Sequence, residues 1–83
     1  RVEFKIRGNN VTLIERRPAF MKPDTWVSIP VAQFRYNPDN KKWYLYYCDR
    51  NSRWHDYLDI KPSKNLNVLI REVEEDPTGI FWG

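Results

Sequence analysis

The stretch from Lys41 to Leu58, KKWYLYYCDRNSRWHDYL, constrains the fold of this chain more than any other. It holds two of the four Trp, four of the five Tyr, the only Cys and the only His. Apolar runs lie on both sides of Asp49-Arg50-Asn51-Ser52, a pattern typical of two strands joined by a tight turn. The stretch therefore predicts a β-hairpin, and we expect the function of the chain to involve this hairpin or the surface beside it.

The turn of this hairpin determines which side chains share a face. A two-residue turn at Arg50-Asn51 and a four-residue loop over Asp49–Ser52 give the same pairs: Trp54 with Tyr47, His55 with Tyr46, and Tyr57 with Tyr44. Side chains alternate between faces along a strand, so one face is predicted to be core and to carry Trp43, Leu45, Tyr47, Trp54 and Leu58. A three-residue loop with a bulge would shift the register by one residue and mix the faces.

The other face of the hairpin is rich in aromatic and basic side chains, and we call it the aromatic-basic face. A third strand is predicted over Val27–Tyr36, joined to the hairpin by the turn at 37–40. Pairing Tyr36 with Lys41 places Phe34 and Ala32 on the core face and Val31, Gln33 and Arg35 on the aromatic-basic face. The candidate binding residues of that face are Gln33, Arg35, Lys42, Tyr44, Tyr46, Arg53, His55 and Tyr57.

Two more strands are predicted ahead of this unit. Apolar residues alternate with charged ones over 2–7, Gly8-Asn9-Asn10 predicts a turn, and a second strand runs from Val11 toward Pro18, which cannot donate to a ladder. Pro30 is expected at a strand end, an edge or a bulge. The loop over 18–26 is predicted to be anchored to the core by Phe20, Met21 and Trp26.

One helix is predicted near the C-terminus, with Ser63 as N-cap and Pro77 and Gly79 ending it. Leu66, Leu69, Ile70 and Val73 form an apolar stripe that should cover the core face. The apolar tail at 79–83 is expected to return to the core, where a short edge strand would fit. The predicted fold is a single α+β domain over residues 1–83, with an antiparallel β-sheet of four or five strands and one C-terminal α-helix packed on one face.

Composition excludes several classes of protein. Charged residues are 30% of the chain, and no apolar run approaches the ~20 residues of a spanning helix. A single Cys cannot form an internal disulfide, which favours a reducing, cytoplasmic location. One Cys and one His fall short of a structural zinc site, so no metal or cofactor is predicted. Residues 1–64 carry 13 basic and 7 acidic side chains, which favours an anionic partner for this part of the chain.

The order of several short motifs resembles the bacterial "domain of unknown function 3024" family. The matching pieces are Glu15-Arg16-Arg17-Pro18, Pro30-Val31-Ala32 leading to Tyr36, Trp43-x-Leu45-Tyr46, Trp54-His55-x-Tyr57, and 76–83 (DPTGIFWG). The resemblance covers nearly the whole chain. It implies a helical segment ahead of the first strand, before residue 1. It implies no activity, so it assigns no catalytic or binding residues.

Three functions follow as hypotheses. The first is a non-catalytic module that binds single-stranded nucleic acid, with bases stacked on the aromatic-basic face and basic groups on the phosphates. The second is a protein-interaction or accessory domain that uses the Phe20–Trp26 loop or the Ile80–Trp82 tail. The third and weakest is an enzyme built on Cys48 and His55, since a Cys in a strand is more often a small apolar filler.

Overall fold

A computed structural model of the protein describes residues 1–82; Gly83, the last residue of the predicted tail, lies outside them. The chain forms five strands followed by one helix. They are β1 (Val2–Arg7), β2 (Asn10–Pro18), β3 (Trp26–Asn37), β4 (Lys42–Cys48), β5 (Trp54–Asp56) and α1 (Leu66–Glu75). The strands pair antiparallel in the order β1-β2-β3-β4-β5, so each strand lies beside its neighbour in sequence. The predicted α+β fold is confirmed.

The helix covers only part of one sheet face, because α1 packs against β3 and β4. The buried core lies between them, around Phe34, Leu45, Leu69 and Val73, each at most 2% exposed. The predicted helix stripe is confirmed, since Leu66 and Ile70 pack against the same core. The helix begins later than predicted, because Asn65 rather than Ser63 accepts from a first-turn N–H, that of Asn67. Ser63 instead forms a bridge to Trp43.

The pairing of β3 with β4 differs from the prediction by two residues. Phe34 lies opposite Leu45 and Ala32 opposite Tyr47, rather than opposite Trp43 and Leu45. Because side chains alternate with a period of two, this shift leaves every residue on its predicted face. The faces of β3 are therefore confirmed over residues 32–36 although their partners were wrong.

The pairing of β4 with β5 differs by one residue, and here the predicted faces are wrong. Cys48 lies opposite Trp54 and Tyr47 opposite His55. The loop holds Ser52 at φ +63°, and the Asp49 N–H donates to the Arg53 carbonyl at 2.9 Å. This is the three-residue loop with a left-handed residue that shifts the register by one.

The predicted positions of three further side chains are also wrong. Tyr57 follows β5 on the helix side and is 4% exposed, whereas Leu58, predicted to be core, is 83% exposed. Val31 was predicted on the aromatic-basic face but is buried in the core. It is the extra residue of a bulge, because Leu13 pairs with Ala32 and Ile14 with Pro30. The predicted place of Pro30 at a bulge is confirmed.

The two remaining apolar segments behave differently from each other. The loop between β2 and β3 is not anchored as predicted, since Phe20 is 97% exposed and Met21 81%. The C-terminal tail does return to the core, because Phe81 is buried and its ring lies 5.0 Å from that of Tyr57. The tail forms turns rather than an edge strand. Asp76, in a left-handed conformation after α1, accepts from the N–H groups of Phe81 and Trp82.

Candidate functional site

The sheet face away from α1 carries most of the polar side chains of the strands, and we call it the open face. Its members follow from the register, since directly paired residues project from the same side. Glu3 pairs with Ile14, Thr12 with Gln33, and Gln33 with Tyr46. The open face comprises Glu3, Lys5, Arg7, Asn10, Thr12, Ile14, Gln33, Arg35, Lys42, Tyr44, Tyr46, Cys48, Trp54 and Asp56.

A chain of side-chain contacts crosses the centre of this face. The Gln33 amide donates from Nε2 to the Thr12 hydroxyl at 3.0 Å. Its Oε1 accepts from Nε of Arg35 at 2.6 Å. The guanidinium carbon of Arg35 then lies 3.9 Å from the centroid of the Tyr46 ring, a cation–π contact. Arg35 is thus held over the Tyr46 ring, and it forms no ion pair with an acidic residue of 1–82.

Tyr44 lies beside this chain and is half-buried. Its hydroxyl accepts from Nδ2 of Asn40 at 2.8 Å, so the ring is oriented from the turn that precedes β4. Tyr44, Tyr46 and Arg35 line an open cavity of about 280 Å³ together with Tyr36 and Asn37. Two aromatic rings and one guanidinium plane are therefore within reach of a flat ligand.

A larger cavity lies on the other side of Gln33. It measures about 500 Å³ and is lined by Lys5, Ile6, Arg7, Asn10, Thr12, Ile14 and Gln33. Sequence reasoning did not include Lys5, Arg7 or Thr12 in the site, because it built the face from the last three strands only. The signal was present in the charged residues that alternate along β1 and in the turn that folds β1 back on β2.

Glu3, the acidic residue of β1 on the open face, already forms ion pairs. Glu3 lies 2.9 Å from Arg1 and 3.5 Å from Arg16. These partners, Arg1 first through a side-chain hydrogen bond, lower the pKa of the Glu3 carboxyl. Glu3 is therefore ionised at neutral pH and neutralises part of the positive charge of Arg1 and Arg16. Lys5 and Arg7 remain as the cations that line the larger cavity.

The predicted site residues divide into two groups. Gln33, Arg35, Lys42, Tyr44 and Tyr46 share the open face. Tyr57 is buried under the helix, and its hydroxyl donates to Glu72 at 2.7 Å. His55 lies on the helix side, stacked on Tyr47 at 5.2 Å. Arg53 lies in the exposed loop ahead of β5, outside any strand.

The cysteine and the histidine are not brought together. Cys48 of β4 projects to the open face while His55 of β5 projects to the helix side, so the sheet lies between their side chains. Burial, and then the nearby Asp49 carboxylate, raises the pKa of the Cys48 thiol, which disfavours the thiolate. His55 instead bonds Asp49, with Nε2 2.7 Å from Oδ2.

Residues 1–82 show neither a metal site nor a membrane-spanning helix. No group of three or more His, Cys, Asp or Glu side chains lies close enough to hold a metal ion. Nor does that part of the chain contain a helix with the length and apolar character needed to cross a membrane.

The comparison with protein families accounts for the whole chain. The model of the family described as "Domain of unknown function (DUF3024)" matches residues 1–83. The chain belongs to this family. No curated protein and no solved structure matches it.

Proposed function

We propose that this DUF3024 domain is a non-catalytic module that binds single-stranded nucleic acid on its open face. The observation that carries the proposal is Arg35, which lies 3.9 Å from the centroid of the Tyr46 ring, donates to Gln33, and has no acidic partner among residues 1–82. An arginine held in this way offers a planar surface for stacking and N–H donors for phosphate.

The stacking surface has two parts. Arg35 covers one face of the Tyr46 ring, so a base reaches the guanidinium plane rather than that face of the tyrosine. Tyr44 supplies a second ring beside it, held by Asn40. Nucleic-acid bases stack on aromatic rings and on arginine planes alike, and each stacked base is worth roughly 1–3 kcal/mol. The two surfaces fit adjacent bases of one strand.

The basic groups lie on both sides of this stacking surface. Lys42 follows the turn at the start of β4, and Lys5 and Arg7 line the larger cavity on β1. A phosphate backbone that crosses the sheet from β4 toward β1 would meet these cations in turn. Gln33 and Thr12 are bonded to each other and to Arg35, so they orient the arginine rather than read a base edge.

The test is fluorescence anisotropy with labelled single-stranded RNA and DNA at low and physiological salt. Binding should weaken as the salt concentration rises. The logarithm of the binding constant, plotted against the logarithm of the salt concentration, should have a slope of about −0.7 for each phosphate neutralised. Tyr44→Ala should weaken binding by about 1–3 kcal/mol, the value of one stacked base. Arg35→Lys keeps the charge but loses the plane, so a large effect of this variant identifies stacking rather than charge.

Matched controls lie elsewhere on the chain. Arg71→Gln removes one positive charge from an exposed position of α1, and Phe20→Ala removes an exposed ring from the loop between β2 and β3. Both should bind as the wild type does. Absence of binding at low salt, or equal losses in the control variants and in Tyr44→Ala, would overturn the proposal.

A second candidate rests on the loop between β2 and β3. Phe20 and Met21 are 97% and 81% exposed at its tip, where they cover no core. Exposed apolar side chains at a loop tip are typical anchors for a protein partner. The C-terminal tail supports this candidate less, since Phe81 is buried and Asp76 holds the N–H groups of Phe81 and Trp82.

A further inference from the structure

Within residues 1–82, no strand pairs with the outer edge of the sheet at β1, and the backbone groups of that edge can be assigned. Arg16 N–H donates to the Arg1 carbonyl at 2.7 Å, and the Arg1 amino group donates back to the Arg16 carbonyl at 3.2 Å. Bonded and non-bonded pairs alternate along an antiparallel ladder. The residues of β1 bonded to β2 are thus Glu3, Lys5 and Arg7, and the N–H and C=O groups of Val2, Phe4 and Ile6 point away from the sheet.

The same three residues are exposed on the helix side of the sheet. Val2 is 53% exposed, Phe4 51% and Ile6 78%, because α1 does not extend over β1. An edge strand that exposes apolar side chains and free backbone groups is a template for pairing with another strand. The opposite edge of the sheet is different: β5 has three residues, and the chain beyond it bonds to Leu45 and Trp43.

We propose that β1 pairs antiparallel with β1 of a second copy of this chain, on a two-fold axis at Phe4. The strand is its own complement in this register. Phe4 faces Phe4 of the second copy, Val2 faces Ile6, and Glu3 faces Lys5. The opposite charges meet twice across the axis on the open face, while the apolar residues meet on the helix side.

The backbone agrees with this register. Val2, Phe4 and Ile6 are the residues whose N–H and C=O groups point outward, and all of them bond across the axis when Phe4 is at its centre. Glu3 and Lys5 then form non-hydrogen-bonded pairs, in which side chains are closer. Moving the axis to Lys5 would leave the backbone of Val2 facing Gly8, outside the partner strand, and would bring two lysines together. Like charges directly opposite each other are unfavourable.

The charge state of the two residues is consistent with pairing across the axis. Lys5 forms no ion pair within the described part of the chain, so it is free to meet a carboxylate. Glu3 stays ionised beside Arg1 and Arg16. Arg1 and Arg7 would face each other at the ends of the joined strands, where both side chains extend into solvent that screens them. A second copy is thus a better complement to β1 than a strand that does not place a positive charge opposite Glu3 and a negative charge opposite Lys5.

The first test is the mass of the chain in solution by light scattering coupled to size-exclusion chromatography. The wild type should have twice its 10.1 kDa mass at high concentration. Glu3→Lys and Lys5→Glu each replace two opposite-charge pairs by two like-charge pairs, and should raise the dissociation constant by at least about tenfold. The double variant restores both pairs in reversed order and should dimerise again.

Mixing provides a sharper version of the test. Glu3→Lys carries lysine at both positions and Lys5→Glu carries glutamate at both. Each variant should therefore be largely monomeric alone, and an equimolar mixture should form a dimer of one copy of each, which native mass spectrometry detects. Phe20→Lys, a change at an equally apolar and more exposed site, should leave the wild-type dimer intact.

Hydrogen exchange of the backbone amides tests whether β1 is the strand that pairs in the dimer. The Phe4 and Ile6 amides should exchange rapidly in dilute monomer and slowly in the dimer, because only pairing across the axis protects them. Phe4→Pro removes an outward N–H while leaving the bonds between β1 and β2, and should give a folded monomer. A wild type that stays monomeric at high concentration, or a dimer insensitive to both charge variants with an unprotected Phe4 amide, would overturn the inference. Nucleic acid is absent from all of these measurements, so neither result depends on the proposed function.

Discussion

The hydroxyl of Tyr57 donates a 2.7 Å hydrogen bond to Oε2 of Glu72, which joins the end of the hairpin to α1. The ring of Tyr57 is buried and lies 5.0 Å from that of Phe81. One side chain therefore connects the hairpin, the helix and the C-terminal tail. This contact exists only because the hairpin register places Tyr57 on the helix side.

Tyr57→Phe tests the hydrogen bond without changing the ring. Loss of the hydroxyl should reduce the free energy of unfolding by about 1 kcal/mol and leave Glu72 without its donor. Urea denaturation followed by tryptophan fluorescence measures this difference. Tyr46→Phe, which keeps the ring beside Arg35 and removes a hydroxyl without a hydrogen bond among residues 1–82, is the control and should change stability by less than about 0.5 kcal/mol. Equal stability of Tyr57→Phe and the wild type would contradict the role of the bond.

The same tyrosine predicts a sensitivity to alkali. Burial is the largest cause that raises the pKa of Tyr57 above its ordinary value. A hydrogen bond with Thr78 opposes this rise, and the Glu72 carboxylate adds to it through its hydrogen bond and its charge. The raised pKa means that the folded state resists ionisation, so this contribution to stability is present below about pH 10 and is lost as pH rises through the folded-state pKa. Denaturation at pH 9 and pH 11 should show a larger loss for the wild type than for Tyr57→Phe. A parallel loss in both proteins would assign the effect to other tyrosines.

Asp49 predicts a sensitivity to acid in the hairpin loop. Its carboxylate bonds His55 through Oδ2 and accepts the Asn51 and Arg53 N–H groups through Oδ1. The His55 bond first, and these N–H groups next, lower the pKa of Asp49. A lowered pKa stabilises the fold above about pH 4, and this contribution is lost as pH falls through the folded-state pKa. Asp49→Asn should be less stable than the wild type at pH 6, and the difference should shrink toward pH 3. If the difference in stability between the two proteins were the same at pH 6 and pH 3, the predicted role of the Asp49 carboxylate would be contradicted.

Ser52 carries backbone strain that glycine would relieve. Its φ of +63° lies in the left-handed region, where an L-residue is disfavoured by roughly 1–2 kcal/mol. Ser52→Gly should therefore stabilise the protein, by about 0.5–1 kcal/mol after the added flexibility of the unfolded chain is counted. Asn51→Gly, one residue earlier and without a positive φ, should not stabilise it. Thermal denaturation of the two variants compares them directly, and a destabilised Ser52→Gly would argue against this loop.

Leu45 and Leu58 of the hairpin distinguish the observed register of β4 and β5 from the register predicted from the sequence. Leu45 is 2% exposed and Leu58 is 83% exposed, although alternation had predicted both in the core. Leu45→Ala should cost about 2–5 kcal/mol of unfolding free energy through a buried cavity, whereas Leu58→Ala should cost less than about 0.5 kcal/mol. Urea denaturation measures both. A large loss in Leu58→Ala would restore the register that places Trp54 opposite Tyr47.

Much of the fold could be predicted because local patterns determine it. Period-two alternation identifies the strands, the stripe from Leu66 to Val73 identifies the helix, and turn residues separate them. The same patterns placed five candidate residues of β3 and β4 on one face, namely Gln33, Arg35, Lys42, Tyr44 and Tyr46. The register error between these strands was two residues, and a shift of two returns each side chain to its own face.

Local patterns could not determine the turn of the central hairpin. Asp49-Arg50-Asn51-Ser52 is compatible with loops of two, three or four residues, and their energies differ through contacts outside the turn. In the fold, Asp49 binds the loop N–H groups and His55, and Tyr57 gains a buried site and Glu72. These contacts favour the shifted register, which transfers His55 and Tyr57 from the predicted site to the helix side.

The sequence by itself determined which segments are strands, which is a helix, and that aromatic and basic side chains would share a sheet face. The tertiary structure decided which of those side chains do so, and it added Lys5, Arg7 and Thr12 from strands that alternation could not place beside the hairpin. The physical reason is that alternation depends on each residue and its neighbours in sequence. Register and strand order depend on burial and hydrogen bonds between residues far apart in the chain.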